Sequence, residues 1–441
     1  MKKKFILSIG GLLFSAALTF GQATISPGKP QAGPIVITGA TIHIGNGQVI
    51  NNGYIAFNKG KITAVGEGSA PNTAGATVVD AAGKQVYPGF ICPITSLGLV
   101  EIEEGARGTV DDSETGDLNP HVRSLIAFNT DSKVIPTVRA NGIVLAQPTP
   151  EGGRVSGESS VMMLDGWNWE DAAYKKDIGI HLTWPVARAA RGRRGGFQLP
   201  GAGPQESPAE IAQRAIDDLT SLFTQAQGYA AESRHTTTNI RLEAMRGLFN
   251  GTKKLFINAD GAKEIAQAVS FAKRFKLQAV IVGGKDAYLV ADILKQNNVP
   301  VILKETQTLP ERDDDDVYQP YKMPYLLQQA GVLYGLTGIG FWRQRNLPFE
   351  AGEAVGYGLT KEQAVSMITL NNAKILGIDK TTGTLEVGKD ANLFISNGDA
   401  LDMLTLDVTN EYIQGRSVNL DTWHKQLYKK FSDKYGVPTK M

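Results

Sequence analysis

The chain has 441 residues, 42% of them apolar, and a formal net charge of +1. That length accommodates one large domain with a smaller companion, and the apolar content excludes a disordered chain. A charge this close to zero gives no overall attraction to nucleic acid or to an anionic membrane, so neither is expected as a partner.

The first segment has the pattern of an export signal. Lys2, Lys3 and Lys4 form a basic start, residues 5–20 are apolar, and small Thr19 and Gly21 place a cleavage point before Gln22. The apolar run is shorter than the roughly 20 residues of a helical span. Residues 1–21 are therefore expected to be a cleaved signal peptide, and the mature protein periplasmic or secreted and free of the membrane. Cys92 is the sole cysteine, so no internal disulfide forms. Inside an apolar run it is expected to be a small buried hydrophobe.

Residues 35–38, 41–44, 54–57 and 61–65 are β-rich runs bounded by Gly, Asn or Lys, a small β module. Further on, Gly152-Gly153-Arg154-Val155-Ser156-Gly157-Glu158-Ser159-Ser160 lacks the lysine and following helix of a phosphate loop. It reads as a turn between strands, and nothing marks Ser156 or Ser159 as a nucleophile. Trp167, Trp169 and Trp184 lie close in sequence, which suits either core packing or a glycan- or peptide-binding surface. The basic, glycine-rich run 189–196 reads as a solvated loop rather than an anion site.

A helical pattern over 207–248 opens on Ser207-Pro208-Ala209-Glu210, a capping signal. Apolar runs at 255–257, 279–282 and 300–303 then alternate with helical patterns at 262–275 and 286–296. This βαβαβ order implies right-handed crossovers and a parallel sheet covered by helices. Periodicity leaves a closed barrel and an open doubly wound sheet both standing. The acidic run 313–316 lacks the glycine turn and spaced ligands of a calcium loop and is expected to be solvated. The five histidines are scattered: His43 in the β module, His121 in a polar loop, His181 in a strand, His235 on a helix and His424 in the C-terminal tail.

Three segments carry a family resemblance. Pro88-Gly89-Phe90-Ile91-Cys92-Pro93-Ile94-Thr95-Ser96 resembles the first barrel strand of the amidohydrolase superfamily, Pro-Gly-(apolar)-Ile-Asp-x-His-x-His. Met367-Ile368-Thr369-Leu370-Asn371-Asn372-Ala373-Lys374-Ile375-Leu376-Gly377 is similar to the helix that closes such barrels. Gly383-Thr384-Leu385-Glu386-Val387-Gly388-Lys389-Asp390-Ala391-Asn392-Leu393 is similar to the family's Gly-x-(Leu/Ile)-x-x-Gly-x-x-Ala-Asp-Leu. The imidazolonepropionase-related branch is the most similar. The resemblance implies an α/β fold, a (β/α)8 TIM-like barrel over 87–380. Beside it stands a small composite β-sandwich built from 34–86 and 384–420, with 421–441 as a tail. It further implies a lineage that hydrolyses C–N (non-peptide) bonds with a divalent metal such as zinc.

The implied ligand positions are degenerate. The two first-strand histidines fall on Ile94 and Ser96, the fifth-strand histidine on Asn258, and the sixth-strand histidine on Gly283. The eighth-strand aspartate, which polarises the attacking water, falls near Gly338 or Ile339, where residues 334–339 contain no carboxylate. An isoleucine has no lone pair, and a hydroxyl is a poor ligand beside imidazole.

Two expectations follow. The first is a pseudoenzyme without a metal cofactor that binds a small-molecule ligand, or partners an active amidohydrolase paralogue or itself. The second is a working C–N hydrolase with a non-standard site, using a metal on Asn, Asp and Glu oxygens or metal-free catalysis through His181, Lys304 and Glu305. The pocket candidates are His181, Asn258, Asp260, Lys304 and Glu305, because barrel chemistry sits at the C-terminal ends of strands.

Overall fold

The computed structural model describes residues 25–70, 73–103, 108–187, 206–310, 312 and 314–438. The expected signal segment, the basic run 189–196 and Asp313 lie outside these residues. Strands β1 (Ile35–His43), β2 (Val49–Asn58), β3 (Lys61–Glu67), β4 (Thr77–Asp80) and β5 (Gln85–Pro88) come first and belong to one sheet.

The second sheet follows: β6 (Phe90–Thr95), β7 (Ile143–Pro148), β8 (Val155–Met163), β9 (Ala173–Thr183), β10 (Lys254–Ala259), β11 (Ala279–Gly283), β12 (Val301–Lys304) and β13 (Tyr334–Thr337). These eight pair in sequence order. Thr337 Oγ1 on the last strand donates to Ile94 O on the first at 2.5 Å, so the sheet rolls into a barrel. One strand departs from the all-parallel expectation, since β8 runs antiparallel to both β7 and β9. The connection from β8 to β9 spans only residues 164–172, too short for the crossover that parallel strands require.

Helices pack outside. They are α1 (Pro208–Ala231), α2 (Ile240–Phe249), α3 (Ala262–Arg274), α4 (Ala291–Gln296), α5 (Gln319–Ala330), α6 (Leu347–Gly356), α7 (Lys361–Ile368) and α8 (Leu370–Leu376). The capping signal holds: Ser207 Oγ accepts from Glu210 N, and Glu210 Oε2 accepts from Ser207 N at 2.7 Å. The pattern over 207–248 is nevertheless two helices. Thr236, Thr237 and Thr238 are poor helix formers, and Asn239 caps α2 through its side-chain oxygen. His235 sits in this break and not on a helix, its ring stacked on Tyr229 at 3.5 Å. Strands β14 (Leu393–Ser396), β15 (Val408–Ile413) and β16 (Arg416–Ser417) return to the first sheet, in the order β16-β15-β14-β5-β1-β2-β3. Helix α9 (Trp423–Tyr435) then occupies the tail and carries His424.

Hydrogen bonding makes the composite unit a single sheet, but the sheet folds over on itself. Phe57 of β2 meets Tyr412 of β15 edge-on at 5.0 Å, although four strand pairings separate them. Their shared core includes Ile37, Ile42, Ile55 and Leu393.

Two of the sequence motifs meet where this sheet joins the barrel. Pro88 pairs with Leu393, and Gly89 N donates to Asn392 O at 2.9 Å. A β-carbon on Gly89 would lie 2.2 Å from Val144 Cγ2, which explains the glycine after the proline. Cys92 is buried, and its burial pushes the thiol up to about 12, so it is no thiolate nucleophile at neutral pH.

Candidate active site at the barrel mouth

The C-terminal ends of the barrel strands open into a cleft of about 580 Å³. Ile94, Thr95 and Ser96 reach it from the end of β6, His181 and Thr183 from β9, Asn258 and Asp260 from the end of β10, Lys304 from β12 and Thr337 from β13. Four of the five candidate residues, His181, Asn258, Asp260 and Lys304, thus come together. Glu305 turns away: its φ is +25°, and its carboxylate accepts from Arg343 Nη1 at 2.8 Å. It lines a smaller, adjoining pocket with Asp286 and Arg312, and Asp260 and Lys304 stand on the wall of both.

The positions implied for a metal hold other chemistry. Lys304 Nζ donates to Asn258 Oδ1 at 3.1 Å, so an ammonium already occupies the amide oxygen. Gly283 has φ +100°, and a β-carbon there would fall 2.3 Å from Asp260 Oδ1. The Asp260 carboxylate therefore stands over the glycine, where a ligand side chain would have to pass. Ile94 contributes no donor, and Ser96 is almost fully buried. Among the described residues, no three His, Cys, Asp or Glu side chains gather as a cation site. These residues do not fit a divalent metal.

His181 belongs to a buried polar cluster. Its Nε2 is 2.7 Å from Ser159 Oγ and 3.3 Å from Gln147 Nε2, and its ring stacks on Phe256 at 4.9 Å. Burial, with a smaller push from Lys304, lowers its pKa to about 3. The imidazole is thus neutral at physiological pH and a weak base. Ser159 is completely buried and does not line the cleft, so its hydroxyl has no access to a substrate.

Sequence reasoning passed over two carboxylates in the cleft, Glu151 and Glu264. Glu151 was legible, since it follows the apolar run of β7 at the C-terminal end of a barrel strand. Desolvation and Asp112 push its carboxyl above the ordinary range, Lys304 pulls it back, and Glu103 adds to the rise. Three of the other histidines are engaged elsewhere: His43 Nδ1 lies 2.7 Å from Glu362, His235 Nδ1 lies 3.1 Å from Glu232, and His424 meets Trp342 edge-on. Trp184 is buried at the cleft wall against Phe271, Trp167 is exposed, and no ring contact joins the three tryptophans among the described residues.

Beneath the mouth, Glu350 of α6 anchors the chain just after Lys304. Its Oε2 accepts from Thr306 N at 3.0 Å. Burial pushes its pKa up to about 8 against that hydrogen bond, helped by Glu305 and Glu353. The folded value lies above the unfolded one, so this group's stabilisation is full below about pH 4.3. It falls as pH rises and is gone above about 8. Glu350→Gln is expected to remove up to about 1.4 kcal/mol per pH unit of that decline, read from urea melts at several pH values. Parallel wild-type and variant curves would show that Glu350 is ionised throughout.

Residues 344–421 match the amidohydrolase family. Across the fold, the chain is similar to a crystal structure of an amidohydrolase from Thermotoga maritima, with TM-score 0.73 and 24% identity over 87% of this chain and 99% of that one. Molinate hydrolase follows at TM-score 0.55 and 14% identity, covering 88% and 95%. Amidohydrolase tasK of Hapsidospora irregularis is 34% identical over 118 residues, which are 24% of this chain and 12% of that protein. The chain therefore spans only a small part of that curated relative. The barrel and composite sheet are the fold of these amidohydrolase structures, and the segment from just before α6 through β16 carries the amidohydrolase family match.

Proposed function

We propose that this is an exported amidohydrolase-fold protein that has lost its hydrolytic metal centre and binds a small molecule at the barrel mouth as a pseudoenzyme. The observation that carries this reading is the Lys304–Asn258 contact, in which a fixed ammonium takes the oxygen that a metal would need. The cationic role at the strand ends passes to a side chain. Such a point charge orients an anionic group but does not lower the pKa of a water as a bound metal does. Lys304 lies in the same cleft as Glu151, Asp260 and Glu264, a distribution suited to a zwitterionic ligand. Export rests on the pattern of residues 1–21 alone. Pairing with an active paralogue or a second copy belongs to the same proposal.

One observation favours the other reading, a hydrolase with an oxygen-rich metal site: Asp260 Oδ1 is buried without a hydrogen-bond partner among the described residues. Asn258, already bonded by Lys304, weighs against it. Turnover of a panel of cyclic amides, N-acyl amino acids and dipeptides separates the two. The expected result is no hydrolysis above the blank with zinc, manganese or cobalt added. Metal-dependent turnover would return the protein to the hydrolases.

A further inference from the structure

We propose that a second cleft, at the opposite end of the barrel from the mouth, binds a multiply charged phosphate-bearing anion. This cleft, of about 780 Å³, lies where the composite sheet meets the N-terminal end of β9. Lys59, Lys61, Lys175, Lys380 and Arg416 line it, and Asp390 is the one carboxylate among the described lining residues. The whole chain carries a formal charge of only +1, so this concentration of cations is local and not a reflection of composition.

The cations divide by what already holds them. Asp390 is buried, with one oxygen 2.6 Å from Lys61 Nζ and the other accepting from Tyr174 at 2.5 Å, so its charge is spent on the wall. Lys175 donates to Gly377 O at 2.8 Å, at the C-terminal end of α8, a placement that helix electrostatics explains without any ligand. Arg416 donates to Asp165 O at 3.0 Å and lies 3.7 Å from that residue's carboxylate. Lys59 and Lys380 have neither an ion pair nor a hydrogen bond from their amines among the described residues, and both face the cleft.

Like charges gathered around one opening repel one another and concentrate counter-ions there. A single carboxylate ligand would answer one or two of these amines. A phosphate group offers several charged oxygens to lysines acting as point charges from different elements, here the β2–β3 turn and the segment after α8. This end of a barrel does not carry the fold's chemistry, so the cleft binds rather than catalyses. It is independent of the reading given for the mouth, and either can fail alone.

The test is titration calorimetry of inorganic tripolyphosphate into the full mature chain, at low and at physiological salt. Sedimentation with phosphatidylglycerol vesicles runs beside it. Lys59→Glu/Lys380→Glu is compared with Lys429→Glu/Lys430→Glu, a reversal of the same size on exposed α9, with melting curves confirming that both fold. Saturable tripolyphosphate binding is expected, weakened roughly tenfold or more by the first double variant, unchanged by the second, and reduced by salt. Vesicle binding with the same dependence, without tripolyphosphate binding, would also support the site and assign the phosphate to a lipid headgroup. Binding of neither probe, or equal losses in both double variants, overturns the proposal.

Discussion

Gly283→His, which puts back the residue implied for the sixth strand, is expected to lose about 2–5 kcal/mol of stability and to gain no zinc. Two costs add. A left-handed backbone disfavours any residue with a β-carbon by roughly 1–2 kcal/mol, and Gly283 sits at φ +100°. The new β-carbon would also lie 2.3 Å from Asp260 Oδ1, an overpacking of the kind that costs about 1–3 kcal/mol. Even with Asp260 displaced, the histidine would find Asn258 held by Lys304 and Ile94 without a donor. Urea melts and zinc titration of the variant check this together. Wild-type stability with stoichiometric zinc would mean that the mouth stands one substitution from a metal centre.

Phe394→Ala is expected to cost about 3–5 kcal/mol, the largest loss foreseen for a single truncation. Phe394 is fully buried where the composite sheet meets the barrel, stacked on Tyr87 at 5.4 Å and edge-on to Phe90 at 4.9 Å. Gly142 leaves room for its ring, since a β-carbon there would sit 2.6 Å from it. The neighbours belong to two sheets with fixed pairings, which limits collapse into the cavity. Denaturant unfolding reads the effect. A loss below about 1 kcal/mol would show that this aromatic cluster does not couple the two units.

Much of the fold was legible because its signals are local. Pro88-Gly89 and the Asp390-Ala391-Asn392-Leu393 end of the C-terminal motif stand side by side in the sheet, and the βαβαβ run from β10 to β12 lies where apolar runs and helical periods placed it. Closure into a barrel was not in the periodicity. It depends on contacts such as Thr337 to Ile94, between residues 243 positions apart. The antiparallel β8 was hidden because all nine of its residues are buried, leaving no alternation to read.

At the mouth, the residue types were readable and their pairings were not. Lys304 and Asn258 were both singled out, but their bond spans 46 positions. Glu305 follows Lys304 directly, yet its positive φ sends it to Arg343. His181 gains its Ser159 contact only through the antiparallel pairing of β8 with β9. The Asp260–Gly283 juxtaposition joins neighbouring strand ends and leaves no trace in either segment alone.

The most direct measurement is elemental analysis of the protein, purified after growth with zinc, manganese and cobalt and then dialysed. A mouth built on Lys304 and Asn258 predicts far less than one ion per chain. About one tightly held ion per chain, lost on Asp260→Ala, would contradict it and place a metal among the oxygens of the cleft.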